Sequence, residues 1–113
     1  MWALRGDDGN DALSGDGGND ALFGESDDDV IEGGAGGDEL EGGRGSDILR
    51  GDEGDDTLNG GFDADQLLGG AGDDELNGVD GAADQITCGA GFDRVTSDRL
   101  DRLMGPRACE VVE

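Results

Sequence analysis

The stretch GGAGGDELE GGRGSDILR GDEGDDTLN GGFDADQLL GGAGDDELN, residues 33–77, decides the fold. It consists of units of nine residues that each have Gly at position one, Asp at position six and an aliphatic residue at position eight. The pattern continues outward in both directions, from Gly6 to Thr96, and only the unit 78–87 has one residue too many. A short, regular period of this kind indicates a repeat architecture, in which each unit is one supersecondary element.

The invariant positions define the unit. Position one is Gly in nine of the ten units, and Cys88 replaces it in the last one. Position six is Asp11, Asp20, Asp29, Asp38, Asp47, Asp56, Asp65, Asp74, Asp84 and Asp93, where Asp84 fits if the extra residue precedes it. Position eight is Leu13, Leu22, Ile31, Leu40, Leu49, Leu58, Leu67, Leu76, Ile86 and Val95.

Each invariant position has a physical meaning. Gly allows a tight loop with positive φ and brings backbone carbonyls close to a shared centre. A single aliphatic residue between variable neighbours predicts a very short strand with one side chain facing inward. Two units therefore make a coil of 18 residues, and stacked coils form two parallel sheets over a narrow aliphatic core. Because one unit cannot bury its apolar face alone, stability must come from stacking.

The composition indicates that burial of this narrow core cannot stabilise the fold alone and that a cation must contribute. The 113 residues include 25 Gly, 30 Asp or Glu, 7 Arg and no His, and the formal net charge is −23. Such a chain is too short for more than one domain and reads as disordered by composition alone. The charge argues against nucleic acid and anionic membranes as partners, no apolar run is long enough to span a membrane, and the first residues do not read as a signal peptide.

Hard oxygen ligands identify the cation. Carboxylates and loop carbonyls suit Ca²⁺, which accepts about 6–8 oxygens in flexible geometry, whereas Mg²⁺ requires a strict octahedron and keeps its waters. Zinc and copper sites would need His or more Cys ligands. The spacing of an EF-hand loop is absent. The sequence therefore predicts calcium binding.

On these residues the chain resembles the RTX, or hemolysin-type, calcium-binding nonapeptide repeat, G-G-x-G-x-D-x-U-x with U aliphatic, over residues 4–96. The resemblance implies an all-β, right-handed parallel β-roll (a β-solenoid) of about five 18-residue coils, spanning residues 1–96. It also implies that Ca²⁺ lies between successive loops on the same edge, with about six ions and up to eight if the degenerate units contribute.

The resemblance also assigns the ligands. Odd units would stack on one edge and even units on the other. The carboxylate ligands would be Asp11, Asp29, Asp47 and Asp65 on the odd edge and Asp20, Asp38, Asp56 and Asp74 on the even edge, with Asp84 and Asp93 from the irregular units. Backbone carbonyl ligands would come from around Gly9, Gly18, Gly36, Gly45, Gly54 and Gly72, at position four.

Two departures from the repeat stand out. Asp27 and Asp63 replace the Gly of position four, both on the odd edge, which predicts either a distorted loop or an additional carboxylate ligand. Position two is acidic in four units, and those side chains are either ligands or solvated, of which we favour the second. They are Asp7, Asp16, Glu25 and Asp52.

The repeat ends at Thr96, and residues 97–113 are expected to form a C-terminal cap. Residues 97–104 read as one or two helical turns, because Ser97 can cap them and their apolar residues share one face. Residues 109–112 read as a last strand. A solenoid needs such a cap at its open end, although a contact site for a partner domain remains the alternative.

Similar calcium-repeat proteins end with a Cys-Gly-x-Gly turn and a final Cys-Glu, which supports a disulfide between Cys88 and Cys109 here. That bond would close a loop of about 20 residues, stabilise the fold by about 3 kcal/mol and imply an oxidising compartment. Two free thiols are the alternative.

The expected function is a calcium-dependent folding module of a secreted protein, which stabilises a passenger domain or aids its export. A structural or adhesive surface solenoid is the alternative, and it is less favoured because the exposed position-seven residues are irregular. An accessory fragment of a secreted enzyme is a further and less favoured alternative. Catalysis by the chain itself is not expected, since it has no His and no nucleophile–base pair. Oligomeric state does not follow from the sequence.

Overall fold

The computed structural model describes residues 3–78, 84–89, 91, 93–96, 102–104 and 110–111. Within them the regular structure is short strands, each of two or three residues. These are β1 (Ala3–Arg5), β2 (Ala12–Ser14), β3 (Ala21–Phe23), β4 (Val30–Glu32), β5 (Glu39–Glu41), β6 (Ile48–Arg50), β7 (Thr57–Asn59), β8 (Gln66–Leu68), β9 (Glu75–Asn77), β10 (Gln85–Thr87), β11 (Arg94–Thr96), β12 (Arg102–Met104) and β13 (Glu110–Val111). No helix that could cross a membrane occurs in this described part.

The strands alternate between two parallel sheets. Odd-numbered strands form a seven-stranded sheet, and even-numbered strands form a six-stranded sheet. Leu22 of β3 is aligned with Leu40 of β5, and Leu49 of β6 with Leu67 of β8, so each strand pairs with its equivalent one coil later. The result is a β-solenoid of about five turns, with a spacing of about 18 residues. The all-β parallel fold predicted from the period of nine is thus confirmed.

The irregular unit shifts the spacing without changing the register of the strands. Leu67 is aligned with Ile86, and Leu76 with Val95, which corresponds to a separation of 19 residues. The extra residue therefore lies before Asp84, and Asp84 takes position six, as the aliphatic pattern requires. Stacking of the apolar column decides the register, because a one-residue slip would turn every buried side chain outward.

The core is a double column of position-eight side chains between the sheets. From the second unit onward these residues are fully buried, with 0% exposure: Leu22, Ile31, Leu40, Leu49, Leu58, Leu67, Leu76, Ile86 and Val95. Leu4 and Leu13, in the first coil, are only partly buried. A three-residue strand places its middle side chain inward and its two neighbours outward, which explains why only one position in nine needs to be apolar.

The C-terminal strands correct one prediction. The helix expected over residues 97–104 is wrong at Arg102–Met104, which is β12 and pairs with β10; residues 97–101 lie outside the described residues. The edge of β10 offers unpaired backbone groups to a following strand, whereas one or two helical turns are marginal alone. The strand predicted over 109–112 is confirmed at Glu110–Val111, which pairs with β11.

Truncation of one core side chain should show that stability depends on the continuous column. Leu58→Ala removes a side chain with no exposure, and we expect a loss of about 2–5 kcal/mol in the free energy of unfolding because a cavity remains. Urea denaturation in saturating calcium measures it. Thr57→Ala, at the exposed neighbouring position, is the control, and an equal loss in both variants would contradict a core centred on position eight.

Candidate metal centres

The position-six aspartates are buried where each loop enters its strand. Nine of them are only 1–4% exposed, namely Asp20, Asp29, Asp38, Asp47, Asp56, Asp65, Asp74, Asp84 and Asp93, and Asp11 of the first coil is half-buried. The arginine side chains in the described part, Arg5, Arg44, Arg50 and Arg94, are all exposed. The fold therefore buries a series of acidic groups without placing a described basic side chain among them, which is costly for an ionised carboxylate.

One oxygen of each buried carboxylate joins consecutive coils, except in Asp20 at the start of the even edge, where both oxygens lack a partner. The backbone N–H of Asp20 donates to Oδ1 of Asp38 at 2.8 Å, and that of Asp38 donates to Oδ1 of Asp56 at 2.8 Å. The odd edge repeats the arrangement, with Asp29 donating to Asp47 at 2.7 Å. These bonds continue along both edges to Asp84 and Asp93. Each carboxylate that accepts such a bond is thereby held at a fixed orientation by the coil that precedes it.

The second oxygen, Oδ2, is the chemically open end of this arrangement. It is buried and has no hydrogen-bond partner in Asp11, Asp20, Asp29, Asp38, Asp47, Asp56, Asp74 and Asp93. Nearly all buried polar atoms in folded proteins have a partner, so a series of orphaned carboxylate oxygens requires an explanation. A cation at this oxygen would satisfy both its charge and its bonding capacity.

A backbone carbonyl approaches the same place. A Cβ on Gly15 would lie 2.5 Å from Oδ2 of Asp20 and 2.8 Å from the carbonyl oxygen of Gly33, one coil later. On the other edge, a Cβ on Gly42 would lie 2.5 Å from Oδ2 of Asp47 and 2.6 Å from the carbonyl oxygen of Gly60. A carboxylate oxygen and a carbonyl oxygen thus converge beside position one in these units, where Gly leaves room for them.

Further carbonyls line the loops. On the even edge, the carbonyl oxygens of Gly18, Gly36, Gly54 and Gly72 each point at position four of the following loop, too close for any Cβ there. This places four of the six predicted carbonyl donors in one column. For Gly9 and Gly45 the next loop carries Asp27 and Asp63 at that position instead. Their φ angles, 72° and 70°, lie in the same left-handed region as glycine, so these loops are not distorted.

The donors are distributed between coils. In the described part no three Asp, Glu or Cys side chains converge on one point, so the arrangement offers single carboxylates combined with backbone carbonyls rather than a carboxylate cluster. All the donors are oxygens, which is the set that Ca²⁺ prefers. The odd and even aspartates follow separate edges, as the repeat predicted.

The hydrogen bonds that position-five side chains accept from the following coil were not predicted from the sequence. The backbone N–H of Gly37 donates to Oδ1 of Asn19 at 2.9 Å, and that of Ser46 donates to Oδ1 of Asp28 at 2.8 Å. Asn10 and Asp55 make the same contact with the following coil. The frequent Asn or Asp at this position was a signal, because these side chains readily accept hydrogen bonds from nearby backbone groups.

Two other predictions have partial outcomes. The acidic residues at position two all have positive φ angles, between 65° and 74°; they are Asp7, Asp16, Glu25 and Asp52. That their side chains are solvated rather than ligands stays a prediction. Cys88 is buried, with 3% exposure, and no cysteine in the described part is a free thiol. Cys109 lies outside the described residues, so the pairing of the two remains a prediction.

Burial makes these carboxylates weak acids. Loss of hydration raises the pKa of Asp74 to about 8, of Asp47 to about 7 and of Asp56 to about 6, and the carboxylates of neighbouring coils add to the increase. The pKa values of Asp29, Asp38 and Asp93 are raised for the same main reason. At neutral pH the ionised form of these carboxylates therefore destabilises the fold, unless a proton neutralises the charge or a cation balances it.

The comparisons with known proteins agree with this chemistry. The model of one protein family, described as the RTX calcium-binding nonapeptide repeat, matches the chain in four overlapping copies, at residues 5–40, 32–67, 41–76 and 50–84. Together these copies cover more than half of the chain. No match was found among curated proteins or among solved structures.

A methyl group at position one should disrupt the convergence of oxygens. Gly42→Ala places its Cβ against Asp47 and the carbonyl of Gly60, and we expect it to lower the free energy of unfolding by about 1–3 kcal/mol. Gly17→Ala is the matched control, because a Cβ there meets nothing within 4 Å and should change stability by less than about 0.5 kcal/mol. Equal effects in urea denaturation would contradict the crowding at position one.

Acidification should stabilise the fold in a calcium chelator. Because the folded-state pKa values of Asp47, Asp56 and Asp74 are raised, their contribution to stability is fully present below the unfolded pKa, about 3.9, and is lost as the pH rises through about 6–8. Far-UV circular dichroism in chelator should gain β-sheet signal between pH 8 and pH 5. A variant with Asp47→Asn and Asp74→Asn should depend less on pH, and a signal that falls on acidification would contradict the assignment.

Proposed function

We propose that this chain, which belongs to the RTX calcium-binding nonapeptide repeat family, is a module that folds on binding Ca²⁺ outside the cell and stabilises, or helps to secrete, an associated protein. The observation that carries the proposal is the buried Oδ2 atom without a hydrogen-bond partner, which is found in Asp11, Asp29 and Asp47 on the odd edge and in Asp20, Asp38, Asp56, Asp74 and Asp93 on the even edge. Such a series is too costly for the protein alone at neutral pH, and a divalent cation is the simplest group that balances it.

The ligands follow from the position of each donor in the repeat. We assign the carboxylate ligands to Asp11, Asp20, Asp29, Asp38, Asp47, Asp56, Asp65 and Asp74, with Asp84 and Asp93 at the irregular end, and the carbonyl ligands to the glycines of position four. The bound ion would supply positive charge to these oxygens. The chain's own part is to hold the carboxylates from Asp29 onward by their Oδ1 hydrogen bonds and to bury Oδ2.

Binding and folding should be one event. The loops that contribute donors to a site come from different coils, so the donors are brought together only when the coils stack. About six Ca²⁺ ions would reduce the magnitude of the formal net charge, from −23 to about −11, and this would weaken the repulsion between loops. Up to eight ions are expected if the irregular units contribute.

The expected calcium affinity indicates the compartment in which the chain would fold. Extracellular calcium modules bind at about 10⁻⁴–10⁻³ M, which is far above the calcium concentration inside cells. The chain would therefore be unfolded before export and folded after it. A disulfide between Cys88 and Cys109, which we propose to attach a cap of residues 97–113 to the roll of residues 1–96, is also compatible with an oxidising exterior.

A calcium titration followed by far-UV circular dichroism tests this function. We expect a cooperative gain of β-sheet signal at sub-millimolar to millimolar CaCl₂, reversed by a chelator, because the free energy of binding becomes free energy of folding. Equilibrium dialysis should give about six bound ions per chain. MgCl₂ at the same concentration is the control and should have little effect. A chain that keeps its full β-sheet signal at neutral pH in chelator, or that never gains it in calcium, would overturn the proposal.

A further inference from the structure

At position four, two residues have a side chain in a backbone conformation that favours glycine. Position four has positive φ throughout the loops, and Gly is the residue that adopts it without strain. Asp27 and Asp63 occupy it with φ angles of 72° and 70°. Residues held in this region persist when surrounding contacts compensate for the strain, and they are frequent at functional sites. A contact of each side chain with the rest of the fold is therefore expected to offset the strain.

That contact joins consecutive loops of the odd edge. The backbone N–H of Gly9 donates to Oδ2 of Asp27 at 2.7 Å, and that of Gly45 donates to Oδ2 of Asp63 at 2.9 Å. Each bond links residues 18 apart in the chain. The carbonyl of Asp27 still points at Gly45 of the following loop, so the side chain adds a link backward while the column of carbonyls continues forward.

The even edge has no counterpart at this position. Its position-four residues Gly18, Gly36, Gly54 and Gly72 have no side chain to reach the preceding loop. The position-five hydrogen bonds do not distinguish the edges, because Asn10 and Asp28 make them on the odd edge and Asn19 and Asp55 on the even edge. The backward link from position four is thus specific to two junctions, loop 6–11 with loop 24–29 and loop 42–47 with loop 60–65.

We propose that Asp27 and Asp63 are positioning residues, which clamp these two loop junctions together by hydrogen bonds and so set their calcium affinity above that of the other junctions. The inference rests on the proposed calcium binding between loops. A junction whose loops are already linked loses less conformational freedom when the ion binds, and pre-organisation of this kind raises affinity without a new contact to the ligand. The clamp acts through the hydrogen bond and not through a bond from the carboxylate to the ion.

Replacement of the clamps by glycine provides a clean test. The double variant Asp27→Gly with Asp63→Gly removes both side chains and restores the residue that best fits the backbone, so any loss comes from the missing hydrogen bonds. We expect the calcium midpoint of the β-sheet signal to rise by about three- to tenfold. The number of bound ions, measured by equilibrium dialysis, should stay equal to that of the unmodified chain.

The variant Asp27→Asn with Asp63→Asn separates the clamp from a ligand. Asn tolerates positive φ and its carbonyl oxygen still accepts the hydrogen bond, so its midpoint should stay within about twofold of the unmodified chain. A matched control, Asp8→Gly with Glu53→Gly, removes two exposed carboxylates at position three and should leave the midpoint within the same range.

The clamp would be overturned by a glycine variant with an unchanged midpoint, by an asparagine variant shifted as far as the glycine variant, or by a control shifted equally. A fall in the number of bound ions in the asparagine variant would also overturn it, since that result makes the carboxylates direct ligands. If the unmodified chain shows no cooperative response to calcium, the proposed function itself fails, and that outcome is distinct from a failure of the clamp.

Discussion

The buried carboxylate at position six is the constraint on which the rest of the structure depends. Its Oδ1 ties one coil to the preceding one, and its Oδ2 lies in a space that the surrounding glycine leaves open. Stacking of the coils therefore always brings the negatively charged loops close together. The aliphatic column stabilises the stack at one residue in nine, and the negative charge of the loops opposes it.

The loops are consequently more than connections between strands. In most folds a strand pair is stabilised by the packing of its two faces, but here each described strand is two or three residues long, and strands β3 to β11 bury only their middle side chain. Hydrogen bonds between loops, through positions four, five and six, extend the contact between coils well beyond the strands. The structure is thus closer to a stack of loops with short sheets attached than to a sandwich of sheets.

Much of this could be predicted from the sequence, because the period of nine fixes which residues are equivalent. Equivalent residues predicted the two parallel sheets, the Leu and Ile column, and the two edges of aspartates. The register after the insertion also followed, since Ile86 and Val95 have to continue the column. What could not be predicted depends on contacts between coils rather than on the unit itself: the backbone hydrogen bonds that the side chains of Asn19, Asp28 and Asp63 accept. The helix expected near Arg102 failed because an available sheet edge prevailed over local helical preference.

The spacing of the contacts between coils also limits how the length of such a chain can vary. Before the irregular unit, the side-chain hydrogen bonds between loops join residue i to residue i+18. Insertion or deletion of a whole coil keeps every later unit on its own edge and in its own sheet. Removal of a single nonapeptide between Asp27 and Asp63 would move all later units to the opposite side and place the two aspartates on different edges. The length of the chain can therefore change in steps of one coil, of two nonapeptides, without moving any later unit to the other edge.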